Sequence, residues 1–174
     1  SIQRDSTINN INKDIALKPL TKDHVRKTYV WISDPDFRKD FMVRGENDWE
    51  RHVEYFDNLL RDDTQLAYAI YIGDLHVGNC GLKYINTINK SAELWIYIGT
   101  NDFRGIGLGG KALRLLLNNG KDILNLTSVF VHVADDNKLA KNLYSSQGFF
   151  KKDNCSKEWK ERDVKMLRML WKAQ

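Results

Sequence analysis

The segment Asn101-Asp-Phe-Arg-Gly-Ile-Gly-Leu-Gly-Gly-Lys111 has the residue types and spacing in this 174-residue chain that bear most directly on chemistry. Gly105, Gly107, Gly109 and Gly110 fall within six positions, so backbone N–H groups can approach a ligand with no side chain in the way. A helical pattern from Lys111 to Asn119 follows at once. Its first N–H groups and its dipole face the same spot, an arrangement that binds phosphate or pyrophosphate. Arg104 and Lys111 add positive charge beside it. The competing reading is a loop that merely caps a helix.

Two other phosphate motifs fit less well. Gly105, Gly107 and Gly110 match G-x-G-x-x-G, but in a dinucleotide fold the glycines follow their strand almost directly and open the domain. Here Thr100 to Arg104 intervene after Gly99. The last strands, with Lys151, Lys152 and Asp153, are not the continuous apolar runs of a parallel sheet. No Gly-Lys-Ser or Gly-Lys-Thr occurs, which excludes a Walker A loop.

The elements that must position this segment can be read from periodicity. Ile15 to Leu20 alternates as a short strand, and Pro19 marks it as an edge or a strand end. Thr21 caps a helix with Val25, Thr28, Tyr29 and Ile32 on one stripe, and Asp34-Pro35 stops it. Phe37 to Gly45 reads as a loop. Asn47 or Asp48 caps a second helix, with Trp49, Val53, Phe56 and Leu60 on its apolar face. Strands at 65–72 and 75–84 are joined by the Gly73-Asp74 turn, and a third runs from Ser91 to Ile98. After the glycine-led helix, Thr127 to Val133 is a buried strand. A helix from Asp136 or Asn137 to Ser145 ends at Gly148. Phe149 to Trp171 forms two strands joined near Lys160 to Asp163.

This is one α/β domain spanning 15–174, preceded by a polar tail over 1–14. Apolar residues are 42% and charged residues 29%, the balance of a globular protein with a real core. There is no run of 18 apolar residues, so no membrane span is expected, and the polar start without an apolar signal core points to the cytoplasm. Cys80 and Cys155 form no CxxC, so neither a disulfide framework nor a metal is expected. The net charge is +4, with a pI near 9.0. That favours an anionic ligand but is too diffuse for nucleic acid as the main partner.

Arg104-Gly105-Ile106-Gly107-Leu108-Gly109 resembles the R/Q-x-x-G-x-G/A signature of the GNAT superfamily of N-acetyltransferases. Ala92 to Gly99 resembles the strand before that signature, most closely in the branch of ribosomal-protein and amino-sugar acetyltransferases. Asn137, Ala140, Tyr144, Gly148 and Phe149 resemble the family's second landmark, N-x-x-A-x-x-x-Y-x-x-x-G-F. The resemblance implies a mixed, mostly antiparallel sheet of about seven strands flanked by about four helices. It implies acetyl-CoA as donor, with its pyrophosphate on Arg104, Gly105, Ile106, Gly107, Leu108, Gly109 and Gly110. It also implies that Ile96, Tyr97 and Ile98 pair with cofactor amides and polarise the thioester carbonyl, and that Asn137 contacts the pantetheine arm.

Tyr144 takes the family's general-acid position, since a phenol can lend a proton to the leaving sulfur. Its competing reading is core packing. Alternation puts Glu93, Trp95 and Tyr97 on one face of their strand. Glu93 is then either a base among aromatics or a surface carboxylate paired with a lysine. His132, on the face of Phe130, is a core histidine sooner than a proton relay. His24, His52 and His76 are expected at the surface, and Cys80 as a small buried residue.

The resemblance assigns the acceptor cleft to the first helices and the last hairpin. That gives Phe37, Arg38, Phe41, Met42, Arg44, Trp49, Trp159, Lys160 and Arg162. Aromatics with arginines suit a nucleotide-linked amino sugar of surface-glycan synthesis. The alternatives are a protein N-terminus, a small amine such as a polyamine, or a non-catalytic acyl-CoA-binding module. The partner is a small-molecule amine, with a homodimer allowed.

Overall fold

The computed structural model describes residues 15–40, 48–99, 103, 107–159 and 164–174. Seven strands form one sheet: β1 (Ile15–Pro19), β2 (Leu66–Ile72), β3 (Leu75–Asn86), β4 (Ser91–Ile98), β5 (Ser128–Ala134), β6 (Phe150–Trp159) and β7 (Val164–Lys172). Their order is β1-β2-β3-β4-β5-β7-β6, and every pairing is antiparallel except β4 with β5. A 3₁₀ turn (Lys22–His24) leads into α1 (Val25–Ser33), α2 (Pro35–Asp40) and α3 (Trp49–Arg61). The helices α4 (Leu108–Leu124) and α5 (Lys138–Ser146) lie later in the chain. No described helix is long and apolar enough to cross a membrane.

The expected order of elements is the observed one, with two differences. A fifth helix, α2, occupies the start of the expected loop. Pro35 pre-sets the helical φ at its first position, and Asp34 Oδ1 accepts from Asp36 N at 2.9 Å. The glycine-led helix is also longer than its pattern suggests, starting at Leu108 and ending at Leu124. It runs through Gly120 because a side chain there would press on Leu126 and Leu82, so the missing Cβ lets the helix lie on the sheet. Asn125, at φ 53°, closes it in the left-handed region.

Period-two alternation sends side chains to two different layers. On one face Leu82, Leu94, Val129, Val131 and Val133 meet Leu113, Leu116 and Leu117 of α4 and Tyr144 of α5. On the other face Leu20, Ala69 and Trp95 meet Phe56 and Leu59 of α3. Asp48 starts α3, its carboxylate accepting from Glu50 N at 2.9 Å and Arg51 N at 3.4 Å.

His24, His52 and His76, expected at the surface, are buried on this second face. His52 Nε2 donates to the Val25 carbonyl at 3.1 Å, tying α3 to α1. His24 accepts from Thr21 N through Nδ1, and its Nε2 lies 2.9 Å from the Tyr71 hydroxyl. His76 Nε2 lies 2.7 Å from Asn79 Oδ1, and Asn79 Nδ2 donates to Thr28 Oγ1 and Tyr97 Oη. Partners of this kind make it affordable to bury polar groups. Cys80 is buried, as expected, and its thiol is pushed upward by desolvation.

Candidate active site

The centre of the sheet opens into a fork. β4 pairs with β5 only where Ser91, Ala92 and Glu93 meet Ser128, Val129 and Phe130. Beyond Glu93, β4 stays with β3 up to the Ile98–Gly78 pair, while β5 stays with β7 up to the Ala134–Met166 pair. Two neighbouring strands therefore part company in the middle of the sheet. Ile96, Tyr97 and Ile98 lie on the diverging arm of β4.

The helix that follows β4 begins at Leu108. Gly107 is its N-cap at φ 84°, ψ 0°, and a side chain there would meet open space. Leu108 is buried and anchors the first turn. Gly109 and Gly110 face α5: a Cβ would sit 3.4 Å from Leu143 Cδ2 and 3.3 Å from Gln147 Nε2, respectively. These two glycines thus bring the start of α4 against α5, a packing role the sequence reading did not separate from anion binding. Arg104, Gly105 and Ile106 lie outside the described residues. A helix start with an open approach at Gly107 and no side-chain cap among the described residues suits an anionic group.

From α5, Asn137 Oδ1 caps the helix by accepting from Ala140 N at 3.0 Å. Tyr144 is buried, its ring centroid 5.6 Å from that of Phe149, and desolvation pushes its phenol up to about 12.

Glu93 sits at the crotch of the fork. It is buried, and its Oε1 is held by His132 Nδ1. Its Oε2 lies 3.6 Å from the Nζ of Lys83, its cross-strand partner on β3. The lysine pairing considered for a surface carboxylate is present on a buried one, and the contact with His132 was not foreseen. The parallel register Glu93–Phe130 brings that contact about, because it sets His132 on the same face one step further along β5.

Tyr97 lies further along that face, its hydroxyl accepting from Asn79, and burial raises its phenol. Phe37 is buried edge-on against it at 5.2 Å. Trp31 fills the space above Gly99, where a Cβ would come within 1.9 Å of the indole. Arg38 Nη1 donates to the Ile32 carbonyl at 3.2 Å. Trp49 is partly exposed, 5.1 Å edge-on to Tyr29 with Arg26 at 6.0 Å. Trp159 stands on β6 opposite Val164. Phe41, Met42, Arg44, Lys160 and Arg162 lie outside the described residues.

The His76–Asn79–Thr28 network beneath this face was missed. Asn79 amid the apolar run of β3 was the available signal, since a buried strand amide demands partners.

A forked sheet whose central strand is followed by a glycine-led helix is the architecture of an N-acetyltransferase. Residues 14–150 match the family described as acetyltransferase (GNAT) domain, and the chain belongs to that family, which uses acetyl-CoA as its acetyl donor. Among curated relatives, the spermidine N(1)-acetyltransferase of Escherichia coli K12 is 24% identical over 138 residues, covering 78% of this chain and 72% of the relative. The enzyme of the same name from Vibrio cholerae serotype O1 is 22% identical over 165 residues, covering 92% and 95%. The crystal structure of Vibrio cholerae spermidine N-acetyltransferase in complex with CoA and spermine superposes with a TM-score of 0.85 at 22% identity, covering 92% of this chain and 96% of that one. A dodecameric structure of spermidine N-acetyltransferase from the same organism matches with a TM-score of 0.77.

Proposed function

We propose that this N-acetyltransferase transfers acetyl directly, in a ternary complex, to a small primary amine bound on the α1–α3 face of the fork. The observation that carries this reading is the end of the β4–β5 ladder at Glu93. It supports a thioester arm between the strands, with the acceptor arriving from the face of Glu93, Trp95 and Tyr97. The amides near Gly107 and Leu108 would hold the diphosphate, Asn137 the pantetheine arm, and the diverging arm of β4 the thioester carbonyl. Tyr144 would protonate the departing thiolate. A phenol held near 12 stays protonated at neutral pH, as a donor must.

For the acceptor, the side chains and the relatives point to different classes. Cations accompany the aromatics on the described part of this face: Lys27 lies 5.7 Å from the Trp31 ring and Arg26 6.0 Å from that of Trp49. Among the described residues the buried carboxylate is Glu93, already engaged by Lys83 and His132. That lining supports an acceptor with flat and anionic parts, a nucleotide-linked amino sugar. The second reading is a polyamine, supported by the spermidine acetyltransferases among the relatives. A polycation is best held by free carboxylates, so the two readings make opposite demands on charge.

Thiol release from acetyl-CoA, measured with a nucleoside-diphosphate amino sugar and with spermidine in parallel, tests this. Turnover of the sugar alone supports the first reading, and turnover of spermidine alone the second. Binding of acetyl-CoA without thiol release from either, or from any amine of a wider panel, would mean a binding module. The relative's dodecamer also supports a multimeric assembly, which sedimentation would test.

A further inference from the structure

We propose that the base facing the acceptor amine is His132 Nε2, and that Glu93 acts from behind it as a positioning residue. The inference rests on the acetyltransferase reading above and adds a named proton acceptor to it. Glu93 is the wrong group to meet the substrate. Its side chain is 7% exposed, one oxygen is taken by His132 Nδ1 and the other faces Lys83 Nζ at 3.6 Å. His132 is the more open partner, its side chain 22% exposed on the fork face of β5. A carboxylate on Nδ1 holds the proton there, which makes Nε2 the lone-pair nitrogen and steadies the imidazolium once it forms. The ring is further fixed by Phe130, edge-on at 5.8 Å.

The proton balance closes. The acceptor arrives as an ammonium and gives one proton to His132 Nε2. The free amine attacks the thioester carbonyl, forming the C–N bond. As the tetrahedral adduct collapses, the C–S bond breaks and Tyr144 protonates the sulfur, and the second proton shed by the nitrogen passes through water to reprotonate the Tyr144 phenolate. Amide, thiol and one proton released from His132 to water are the products.

Among the described residues, Lys83 on β3 and Arg168 on β7 also face this pair, and Arg168 lies 5.9 Å from the Phe130 ring and is paired to Asp153 on β6. All of them remain in His132→Asn, a variant whose amide can still donate to Glu93 while nothing replaces Nε2. The test is the pH profile of kcat/KM for whichever amine turns over, with acetyl-CoA binding followed by thermal shift. We expect His132→Asn to lose about a hundredfold or more in kcat/KM, to lose the acidic limb, and to bind acetyl-CoA as the wild type does. Glu93→Gln should keep the limb while lowering kcat/KM by about tenfold, because Nε2 remains but the ring is no longer held by a carboxylate from behind. An acidic limb that persists unchanged in His132→Asn, or vanishes only in Glu93→Gln, overturns the proposal. A wild type that binds acetyl-CoA and acetylates no amine overturns the enzyme reading instead, and the base assignment falls with it. Should His132→Asn misfold, seen as lost acetyl-CoA binding, His132→Gln gives the same test.

Discussion

Lowering the pH should unfold this protein through its buried imidazoles before its carboxylates matter. His76 is 6% exposed, packed 4.8 Å from the His24 ring and 4.7 Å from that of Trp31. Desolvation is the largest influence on it, ahead of the opposing hydrogen bond that it donates to Asn79, and brings it from 6.5 to about 4. The folded chain thus keeps His76 neutral while the unfolded chain takes up a proton, so this contribution is complete above about pH 6.5 and falls as the pH drops toward 4. The whole displacement corresponds to about 3.4 kcal/mol, of which about 2 kcal/mol is gone by pH 5. His24 and His52 are also lowered by burial and act with the same sign. Urea unfolding at about pH 7.5 and pH 5 measures the loss, a window above the ordinary range of carboxylates. His76→Gln can still donate to Asn79 but cannot titrate. It should be less stable at the higher pH, and its further loss on acidification should be about 2 kcal/mol smaller than that of the wild type. An equal loss in both proteins would refute the argument, because the acid sensitivity would then lie in other groups.

Three further outcomes follow from the same geometry. Tyr144→Phe should lower turnover by about a hundredfold while leaving the acetyl-CoA thermal shift nearly intact, and the wild type should show no alkaline limb from this phenol below about pH 10. Gly107→Ala and Gly107→Asp share the cost of a left-handed side chain, about 1–2 kcal/mol, yet only the aspartate should abolish the acetyl-CoA shift, since it alone puts negative charge at the helix start. Equal binding by both would remove the diphosphate from this turn. Leu113→Ala, in the fully buried layer between α4 and the sheet, should cost about 2–5 kcal/mol in urea unfolding without changing KM for acetyl-CoA.

What could be read in the chain and what could not divide along one physical line, the sequence distance over which a constraint acts. Ser91–Ile98 was read to the residue because alternation, the preceding Asn-rich turn and the following Gly99 are all local. The cap before α5 was placed to within one position, at Asp136 or Asn137, because its partner Ala140 N is only three positions from Asn137. The α2 helix escaped because Pro35-Asp36 signals a turn as strongly as a helix start, and only its seat beside α1 decides between them. The histidines escaped for a different reason. β3 is buried on both faces over most of its length, so alternation there cannot tell solvent from core. His76 looks like a surface residue until α1 is laid across it. The candidate base is the most distant case. Glu93 and His132 each show the correct face by period two, but 39 positions separate them. Nothing in either strand states that the two are adjacent. Adjacency is created when β4, α4 and β5 close into a parallel pair whose register matches Glu93 with Phe130, and a slip of one residue would turn His132 to the opposite face of the sheet. The chemistry proposed for the pair therefore depends on that crossover as much as on the two side chains.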